Sequence, residues 1–376
     1  MPNDHRTPAK TAFMHRGCYD LACGSARLSA EPSGATVVVV PPCDQQECEG
    51  AMRHMRTMLG ALLAASLFLA GCSTTRPLPD DGFVRVPGGR VAFRVIGQGE
   101  GIPVLVIHGG PGGTSCGFAN TLNEVAASRP VVMYDQLGSG NSDRMTDLAR
   151  DAVLSRFVAE VDAVRARLEL AEVHLVGHSW GATVALEYLL TGKPAGVRSV
   201  TFVGPLISTP LWIGDARGLV QLLPADAQEA IHAAIASNNF DTPAFKAADR
   251  VFAQNFGMRT PVTSDRAREL FSVCASTPQP FNKALYEYMW GPSEFVSTGT
   301  LRDHDRVDRL RDLKLPTLFL VGEHDEARPE TMLKFQALVP GSVVKVIPDA
   351  GHVVNVDQTK AFNEALAAFL ASAERR

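Results

Sequence analysis

The chain has no large excess of either charge and no long hydrophobic run. Its 376 residues include 36 Lys or Arg and 40 Asp or Glu, which gives a formal net charge of −4. A protein without a basic field has little to attract a phosphate backbone, so nucleic acid is excluded as an expected partner. No stretch reaches the roughly 20 apolar residues that span a bilayer as a helix. Hydrophobic residues make up 45% of the chain and charged residues 20%, which predicts a globular body rather than a disordered chain.

A short apolar run near the N-terminus has the features of an export signal. Residues 58–70 are almost entirely apolar, follow two arginines, and end in Leu-Ala-Gly before Cys72. A positive segment, a short apolar segment and small residues before a cleavage point are the parts of a secretory signal peptide. The stretch around Cys72 resembles the lipobox of bacterial lipoproteins. That resemblance implies lipidation of Cys72 and, with Ser73 next to it, an outer-membrane lipoprotein facing the periplasm, bound to the membrane only through its lipid.

The 51 residues before this signal have an irregular composition and no sustained periodicity. Because a signal peptide starts its chain, we expect residues 1–51 to be a non-native or disordered leader, with translation beginning at Met52 or Met55. The alternative is a zinc site, since two pairs of cysteines with four residues inside each pair fall in the loose range of zinc spacings. These are Cys18, Cys23, Cys43 and Cys48. A folded zinc knuckle upstream would disable the export signal, so we predict no metal.

The rest of the chain has the pattern of one large α/β domain. Alternating runs at 83–86 and 91–96 predict an antiparallel hairpin. Six apolar runs follow, most of them before a helical pattern, which predicts a parallel sheet covered on both faces. The runs are 103–107, 131–134, 173–176, 200–203, 317–321 and 343–347, and the clearest helices are 151–168, 182–190 and 359–373. On one face the first of these helices carries Val153, Phe157, Val161 and Val164.

The alternation of strands and helices breaks between residues 203 and 317. Residues 206–300 are rich in helical pattern and contain several prolines but no good strand. This segment is predicted to be a helical lid over the carboxyl ends of the strands, where open α/β sheets bind ligands. Its aromatic residues either line a pocket or fill a core; they are Trp212, Phe281, Tyr286, Tyr288 and Trp290. The predicted organisation is leader 1–51, signal peptide 52–71, tether 72–82, core 83–205 and 301–376, and lid 206–300.

The strongest chemical signal is the GHSWG stretch at 177–181. A G-x-S-x-G motif between a strand and a helix is the nucleophile elbow, in which a tight turn exposes the serine hydroxyl. Glycines are needed there because side chains would collide with the neighbouring strand and helix. The sequence therefore predicts Ser179 as the nucleophile, with the N–H of Trp180 available as a donor at the start of the helix.

The partners of this serine are expected later in the chain, an acid and then a histidine. Only two of the ten histidines lie beyond the lid on loops at strand ends, His324 and His352. His352 follows the last strand and a glycine, whereas His324 immediately precedes the best acid, Asp325, and is expected to point elsewhere. The preceding strand is followed by 204–206, which contains no acid. We predict His352 as the general base and Asp325 as the acid that orients it.

Acyl transfer also needs donors for the oxyanion. The glycine-rich stretch at 108–113 follows the first parallel strand, where this arrangement places its second donor. We predict the N–H of Gly110 in that role, opposite Trp180, and His108 as a structural hydrogen-bonding residue. As a phosphate loop the stretch fails, because no Lys-Ser/Thr follows and GxGxxG spacing is absent.

Together these motifs point to a family. HGGPG at 108–112, DQLGSG at 135–140, GHSWG at 177–181 and GEHDE at 322–326 closely resemble the proline iminopeptidases, and above all the tricorn-interacting aminopeptidases, which share GPSEF at 291–295. The resemblance covers the chain from the hairpin to the C-terminus and implies an α/β-hydrolase fold, a mostly parallel, doubly wound sheet with an inserted helical lid. Many members have Arg where Leu137 stands and Gly where Ala182 stands. The resemblance makes Asp135 a structural acid that braces the oxyanion loop.

In that group two glutamates bind the free α-ammonium of the substrate, and they match Glu294 and Glu326. Two carboxylates at one site raise each other's pKa until a cation arrives, so the pair favours a positively charged amine. Such an anchor measures the distance from the N-terminus to the first peptide bond, which is how an exopeptidase selects its substrate.

The sequence is compatible with two enzyme functions and one binding function. The first is a serine aminopeptidase that releases an N-terminal residue, often proline, from short peptides through an acyl-enzyme, without metal or organic cofactor. The second is a carboxylesterase, lactonase or amidase that acts on small esters or amides with the same triad, because a fold does not settle a substrate. A surface binding lipoprotein with an inactive hydrolase body is disfavoured, since triad and oxyanion loop are all present. Whether Cys116 and Cys274 form a disulfide in an oxidising compartment is left open.

Overall fold

The computed structural model describes residues 28–30, 36–38, 77–192 and 195–375. In the first of two units, β1 (Leu28–Ala30) pairs antiparallel with β2 (Thr36–Val38), an element that the sequence pattern did not indicate. The predicted signal peptide, the lipid site Cys72 and the four-cysteine group lie outside the described residues. Within those residues no helix has both the length and the apolar character needed to cross a bilayer.

The larger unit, Pro77–Arg376, is built on an eight-stranded sheet. Its strands are β3 (Asp81–Val86), β4 (Gly89–Ile96), β5 (Val104–Ile107), β6 (Val131–Tyr134), β7 (Val173–His178), β8 (Val197–Val203), β9 (Thr317–Gly322) and β10 (Val343–Ile347). The spatial order is β10-β9-β8-β7-β5-β6-β4-β3, with β3 and β4 antiparallel and the other strands parallel. The mostly parallel sheet and the hairpin at its edge agree with the predicted fold class.

Helices cover both faces of the sheet. Those of the core are α1 (Cys116–Ala119), α2 (Asn123–Ala126), α3 (Leu148–Asp151), α4 (Leu154–Arg167) and α5 (Trp180–Gly192), followed after the lid by α11 (Pro329–Leu338), α12 (Val354–Asp357) and α13 (Thr359–Glu374). A 3-10 turn, Val307–Asp312, precedes β9. Central strands β5, β6 and β7 are buried along their whole length, as runs covered on both faces must be.

The lid lies between β8 and β9. Its helices are α6 (Thr209–Val220), α7 (Ala225–Ser237), α8 (Pro243–Phe252), α9 (Asp265–Leu270) and α10 (Lys283–Met289), with a π-helical turn at Ala253–Gly257 and a 3-10 turn at Ser272–Ser276. Serine, threonine and asparagine side chains cap several of them, including Ser208, Thr242 and Asn282. The lid has its own small core, in which the Phe252 and Phe295 rings are 4.6 Å apart.

Two boundaries and the position of one side chain differ from the sequence expectation. β3 begins at Asp81 and Leu78 packs against the core, so the end of the predicted 72–82 tether belongs to the domain. The single helix expected over 151–168 is interrupted at Ala152 and Val153, where the backbone leaves the helical region before α4 begins. Val153 is exposed rather than on the buried face, because it occupies the N-cap position, where the backbone is extended, before α4 begins.

Candidate active site

Ser179 stands in the sharp turn between β7 and α5. Its φ of +54° lies in the left-handed region, an unfavourable conformation for a serine that the surrounding backbone maintains. Ser179 N–H donates to Val203 O (2.9 Å), and its carbonyl accepts from the N–H groups of Ala182 and Leu206. A Cβ at Gly181 would lie 2.1 Å from the carbonyl oxygen of Ile107, which explains why the elbow requires glycine there. The turn holds the hydroxyl at the carboxyl edge of the sheet.

His352 and Asp325 meet on the loops that follow β10 and β9. His352 Nδ1 lies 2.8 Å from Asp325 Oδ1, and both side chains are buried. The same Asp325 oxygen accepts the N–H of Ala327 (2.8 Å), which fixes the carboxylate. A Cβ at Gly204 would lie 2.7 Å from His352 Nδ1, so the end of β8 must be glycine for this pair to fit. The acid therefore orients the ring with Nε2 free to take a proton.

Ser179 and His352 face one cavity of about 300 Å³. In the described residues no hydrogen bond joins the Ser179 hydroxyl to the imidazole, whose Nε2 lies 4.0 Å from Glu326 Oε1 instead. Catalytic hydrogen bonds in empty sites are often long and shorten only when substrate binds. The other residues around the cavity are Gly110, Pro111, His178, Trp180, Leu206, Trp212, Phe281, Tyr286, Trp290, Glu294 and Glu326.

Gly110 and Trp180 stand where an oxyanion hole requires donors. Both line the cavity beside Ser179, and Trp180 is the first residue of α5, where N–H groups have no partner inside the helix. Neither backbone N–H meets an acceptor in the part of the chain that the structure describes. Gly110 has a φ of +50°, which glycine adopts readily. The two N–H groups are available for a negative oxygen on a substrate carbonyl.

Buried polar side chains fix the oxyanion loop from below. His108 Nε2 accepts the Gln136 N–H (3.0 Å), and the Gln136 side chain donates to His108 O and accepts from the indole of Trp180. Burial lowers the pKa of His108, which keeps it neutral as an acceptor. Asp135 accepts the N–H and hydroxyl of Ser115 and the N–H of Asn141. His108 and Asp135 therefore support the loop, as predicted, and neither lines the cavity.

Glu294 and Glu326 both line the cavity, Glu294 half-buried and Glu326 buried. Glu294 Oε2 accepts the Trp212 indole N–H (3.0 Å) and its Oε1 accepts the Tyr286 hydroxyl. Glu326 is 6% exposed, and its Oε2 is buried without a partner among the described residues. Trp212 and Tyr286 were singled out by sequence only as aromatics. Their polar atoms donate hydrogen bonds to Glu294. The sequence could not predict this role, because no motif connects the two aromatic residues with Glu294.

The electrostatics of these groups depend on one another. Burial and the neighbouring Glu294 carboxylate raise the pKa of Glu326 well above its ordinary value. Burial also raises the pKa of Glu294, although hydrogen bonds from Tyr286 and Trp212 oppose this. For His352, burial disfavours the charged imidazolium, but three surrounding carboxylates outweigh that effect and raise its pKa to about 9. They belong to Asp325, Glu326 and Glu294.

His178, the variable residue of the elbow, was not predicted to have a role. Its Nε2 lies 3.1 Å from His352 O, and the two rings are 4.7 Å apart. Burial lowers the pKa of His178 to about 3, so it is neutral and can donate to that carbonyl. This contact ties the loop of the general base to the elbow of the nucleophile.

A disulfide connects the lid to the core beside the site. Cys116 of α1 and Cys274 of the 3-10 turn Ser272–Ser276 are joined, with their Cα atoms 5.2 Å apart.

The cavity itself offers no cluster of metal ligands among the described residues. Glu323, His324 and Asp349 could together offer ligand atoms on an adjacent surface, but they are exposed or half-exposed and nothing else there indicates an ion. His324 does not line the cavity.

Proteins of similar sequence and structure show the family to which this chain belongs. A family model described as alpha/beta hydrolase fold matches residues 102–359. A proline iminopeptidase of Heyndrickxia coagulans is 39% identical over 294 residues, which cover 78% of this chain and 99% of that protein. A crystal structure of VinJ is 31% identical with a TM-score of 0.70, covering 79% of this chain and all of the other. The crystal structure of a proline iminopeptidase of Mycobacterium smegmatis is 29% identical with a TM-score of 0.69, covering 78% and 98%.

Proposed function

Because this chain belongs to the proline iminopeptidases of the α/β-hydrolase family, we propose that it is a serine aminopeptidase that releases the N-terminal residue, with proline preferred, from short peptides. A prolyl N-terminus is a secondary ammonium with two N–H donors, one for each carboxylate of Glu294 and Glu326. The walls formed by Trp212, Trp290 and Tyr286 suit the apolar ring between that ammonium and the carbonyl.

The reaction follows from the positions of the groups. The Ser179 hydroxyl gives its proton to Nε2 of His352 and attacks the carbonyl carbon, while Asp325 holds the imidazolium. The N–H groups of Gly110 and Trp180 stabilise the resulting oxyanion. The imidazolium then protonates the leaving amine, the C–N bond breaks, and an acyl-enzyme remains. Water, deprotonated by the same imidazole, hydrolyses this ester and returns the hydroxyl.

The observation that carries the proposal is a pair of carboxylates, Glu326 buried and Glu294 half-buried, without a permanently charged cation beside them. No lysine or arginine is among the residues of the cavity, within the part of the chain that the structure describes. Buried carboxylates are costly unless a cation or donors satisfy them. A substrate ammonium supplies the missing charge, whereas a neutral ester cannot. The amine anchor therefore favours an aminopeptidase over an esterase, lactonase or amidase with the same triad.

The test compares amine-bearing and neutral substrates. We expect prolinamide and short prolyl peptides to be cleaved, and Glu294→Ala to reduce their kcat/KM by about 100-fold, because a charge-assisted contact is lost. Labelling of Ser179 by a neutral fluorophosphonate should persist in Glu294→Ala. Peptide turnover that survives Glu294→Ala unchanged would contradict the amine anchor, and efficient ester turnover without peptide turnover would favour the second function.

We further propose that the enzyme is an outer-membrane lipoprotein facing the periplasm, acylated at Cys72. The lipobox-like stretch before Cys72 supports this proposal. The Cys116–Cys274 disulfide is consistent with it, because such bonds persist in oxidising compartments. Two or more acyl chains hold a protein stably on a membrane. Mass spectrometry of the native N-terminus should find acylated Cys72 as the first residue. A mature protein that begins upstream of Cys72, with that cysteine unmodified, would contradict the proposal.

A further inference from the structure

Phe281 occupies the open end of the catalytic cavity. Phe281 is 47% exposed, unusual for a large aromatic, whereas Glu326, which lines the same cavity, is 6% exposed. The ring borders the oxyanion loop, since a Cβ on Gly110 would lie 3.8 Å from Phe281 Cε2. Its centroid is 5.3 Å from that of Tyr286. An exposed aromatic next to the reacting atoms is available to contact substrate.

The direction of the substrate follows from the two ends of the cavity and rests on the proposed function. With its ammonium at Glu294 and Glu326 and its carbonyl at Ser179, the first residue fills the closed end. The leaving residue must then extend toward solvent, because Glu326 is buried whereas Phe281 is exposed. The open end that it crosses is bordered by Phe281.

Hydrogen bonds hold the segment that carries Phe281 in place. The N–H of Asn282 donates to Gly112 O and its side chain donates to Gly138 O, both at 2.8 Å. Gly140 N–H donates to Gln279 O (3.2 Å). Prolines at 278 and 280 restrict the backbone on either side of Gln279. The ring is therefore a fixed platform rather than a side chain on a loose loop.

We propose that Phe281 binds the side chain of the second substrate residue and makes the enzyme prefer an apolar or aromatic residue there. Contact between this ring and an aromatic leaving residue removes apolar surface from water on both sides. A glycine at the same position offers no such contact, and an acidic residue leaves its charge beside an apolar ring.

Two other roles for Phe281 give different results. If the ring only shields the oxyanion loop from water, its removal slows every substrate by the same factor. If it is a wall for the first residue, its removal changes the preference at the first residue and leaves the preference at the second residue unaltered.

The test uses dipeptide amides that differ only in the second residue. We expect wild-type enzyme to cleave Pro-Phe-NH₂ about tenfold more efficiently than Pro-Gly-NH₂, and Phe281→Ala to bring this kcat/KM ratio close to 1. Phe281→Tyr should restore the ratio. Phe83→Ala is the matched control: Phe83 is 48% exposed on β3 but does not line the cavity, so the ratio should stay at the wild-type value.

Aminolysis of the acyl-enzyme, the reverse of the acylation step, tests the same contact. The prolyl-enzyme formed from proline methyl ester should transfer its acyl group to phenylalaninamide in preference to glycinamide, and Phe281→Ala should remove that preference. If Phe281→Ala lowered kcat/KM equally for both dipeptides, or left their ratio unchanged, the proposed role of Phe281 would be overturned. The proposed function would then still stand. Wild-type enzyme that is labelled at Ser179 yet cleaves neither dipeptide would instead overturn the proposed function.

Discussion

At the scale of single residues, His352 depends on an unusual set of neighbours. Asp325 contacts its Nδ1, Glu326 lies 4.0 Å from its Nε2, and Glu294 adds a third carboxylate. The neutral ring of His178 adds no charge of its own. With a pKa of about 9, His352 is protonated in the empty enzyme at neutral pH. A protonated imidazole cannot accept the Ser179 proton, and binding of an ammonium between the glutamates lowers that pKa by cancelling their charge.

This arrangement predicts the pH dependence of Ser179 labelling. Since the base must be neutral and its pKa is raised, labelling of the empty enzyme by a neutral fluorophosphonate should increase as the pH rises through about 9. Glu326→Gln removes one of the carboxylates that raise this pKa, so the midpoint should fall. Labelling near neutral pH should accelerate about tenfold for each unit of that fall. Peptide cleavage by the same variant should slow, because half of the amine anchor is lost.

The control for this prediction is Glu330→Gln, which removes an exposed carboxylate on α11 whose partner is Arg328. Its labelling profile should match the wild type. A wild-type midpoint near 6.5, the ordinary value for histidine, would contradict the influence of the glutamates on His352.

At the scale of elements, the strands and the catalytic turns could be read from the sequence because each depends on local pattern. Apolar runs gave the central strands to within a few residues, and GHSWG predicted the turn that the structure has at Ser179. The break before α4 was missed because Val153 fits the apolar period of the helix. In the structure Val153 lies at the N-cap position, before the helix begins. The packing of the lid helices, the disulfide and the position of Phe281 depend on contacts between distant segments, which periodicity does not encode.

The disulfide between Cys116 and Cys274 predicts how the lid is stabilised. It closes a loop over a sequence separation of 158 residues, for which the chain-entropy estimate of stabilisation is about 5 kcal/mol as an upper value. Cys116→Ser combined with Cys274→Ser should lower the thermal midpoint. The KM for Pro-Phe-NH₂ should rise, because Phe281 follows Cys274 closely in the chain.

Scanning calorimetry with and without a reductant checks this prediction. The reductant should lower the Tm of wild-type enzyme toward that of the double variant and have no effect on the variant itself. Equal Tm values for both proteins under oxidising conditions would show that the bond adds nothing to the stability of the native state.

At the scale of the whole larger unit, the sheet and the lid divide the chemistry between them. The sheet edge supplies Ser179, Asp325 and His352 from three different loops, and Glu326 directly follows the acid of the triad. The lid supplies Glu294 together with the Trp212 and Tyr286 donors that hold it. An exopeptidase site thus exists only where the two parts meet. The catalytic groups alone would equally serve an esterase.

This division predicts strict dependence on a free N-terminus. Acetylation of prolinamide removes the positive charge and adds volume at the closed end, leaving the carboxylates of Glu294 and Glu326 without a cation. We expect kcat/KM for N-acetylprolinamide to fall by on the order of 10³-fold or more relative to prolinamide, as for sites that lose a required buried partner. N-methylprolinamide adds bulk and loses one of the two N–H donors but keeps the charge, so it should lose less than the acetylated substrate. Equal turnover of the acetylated and free substrates, measured by release of ammonia, would show that the cavity is not closed at the glutamate end and that the anchor does not select the ammonium.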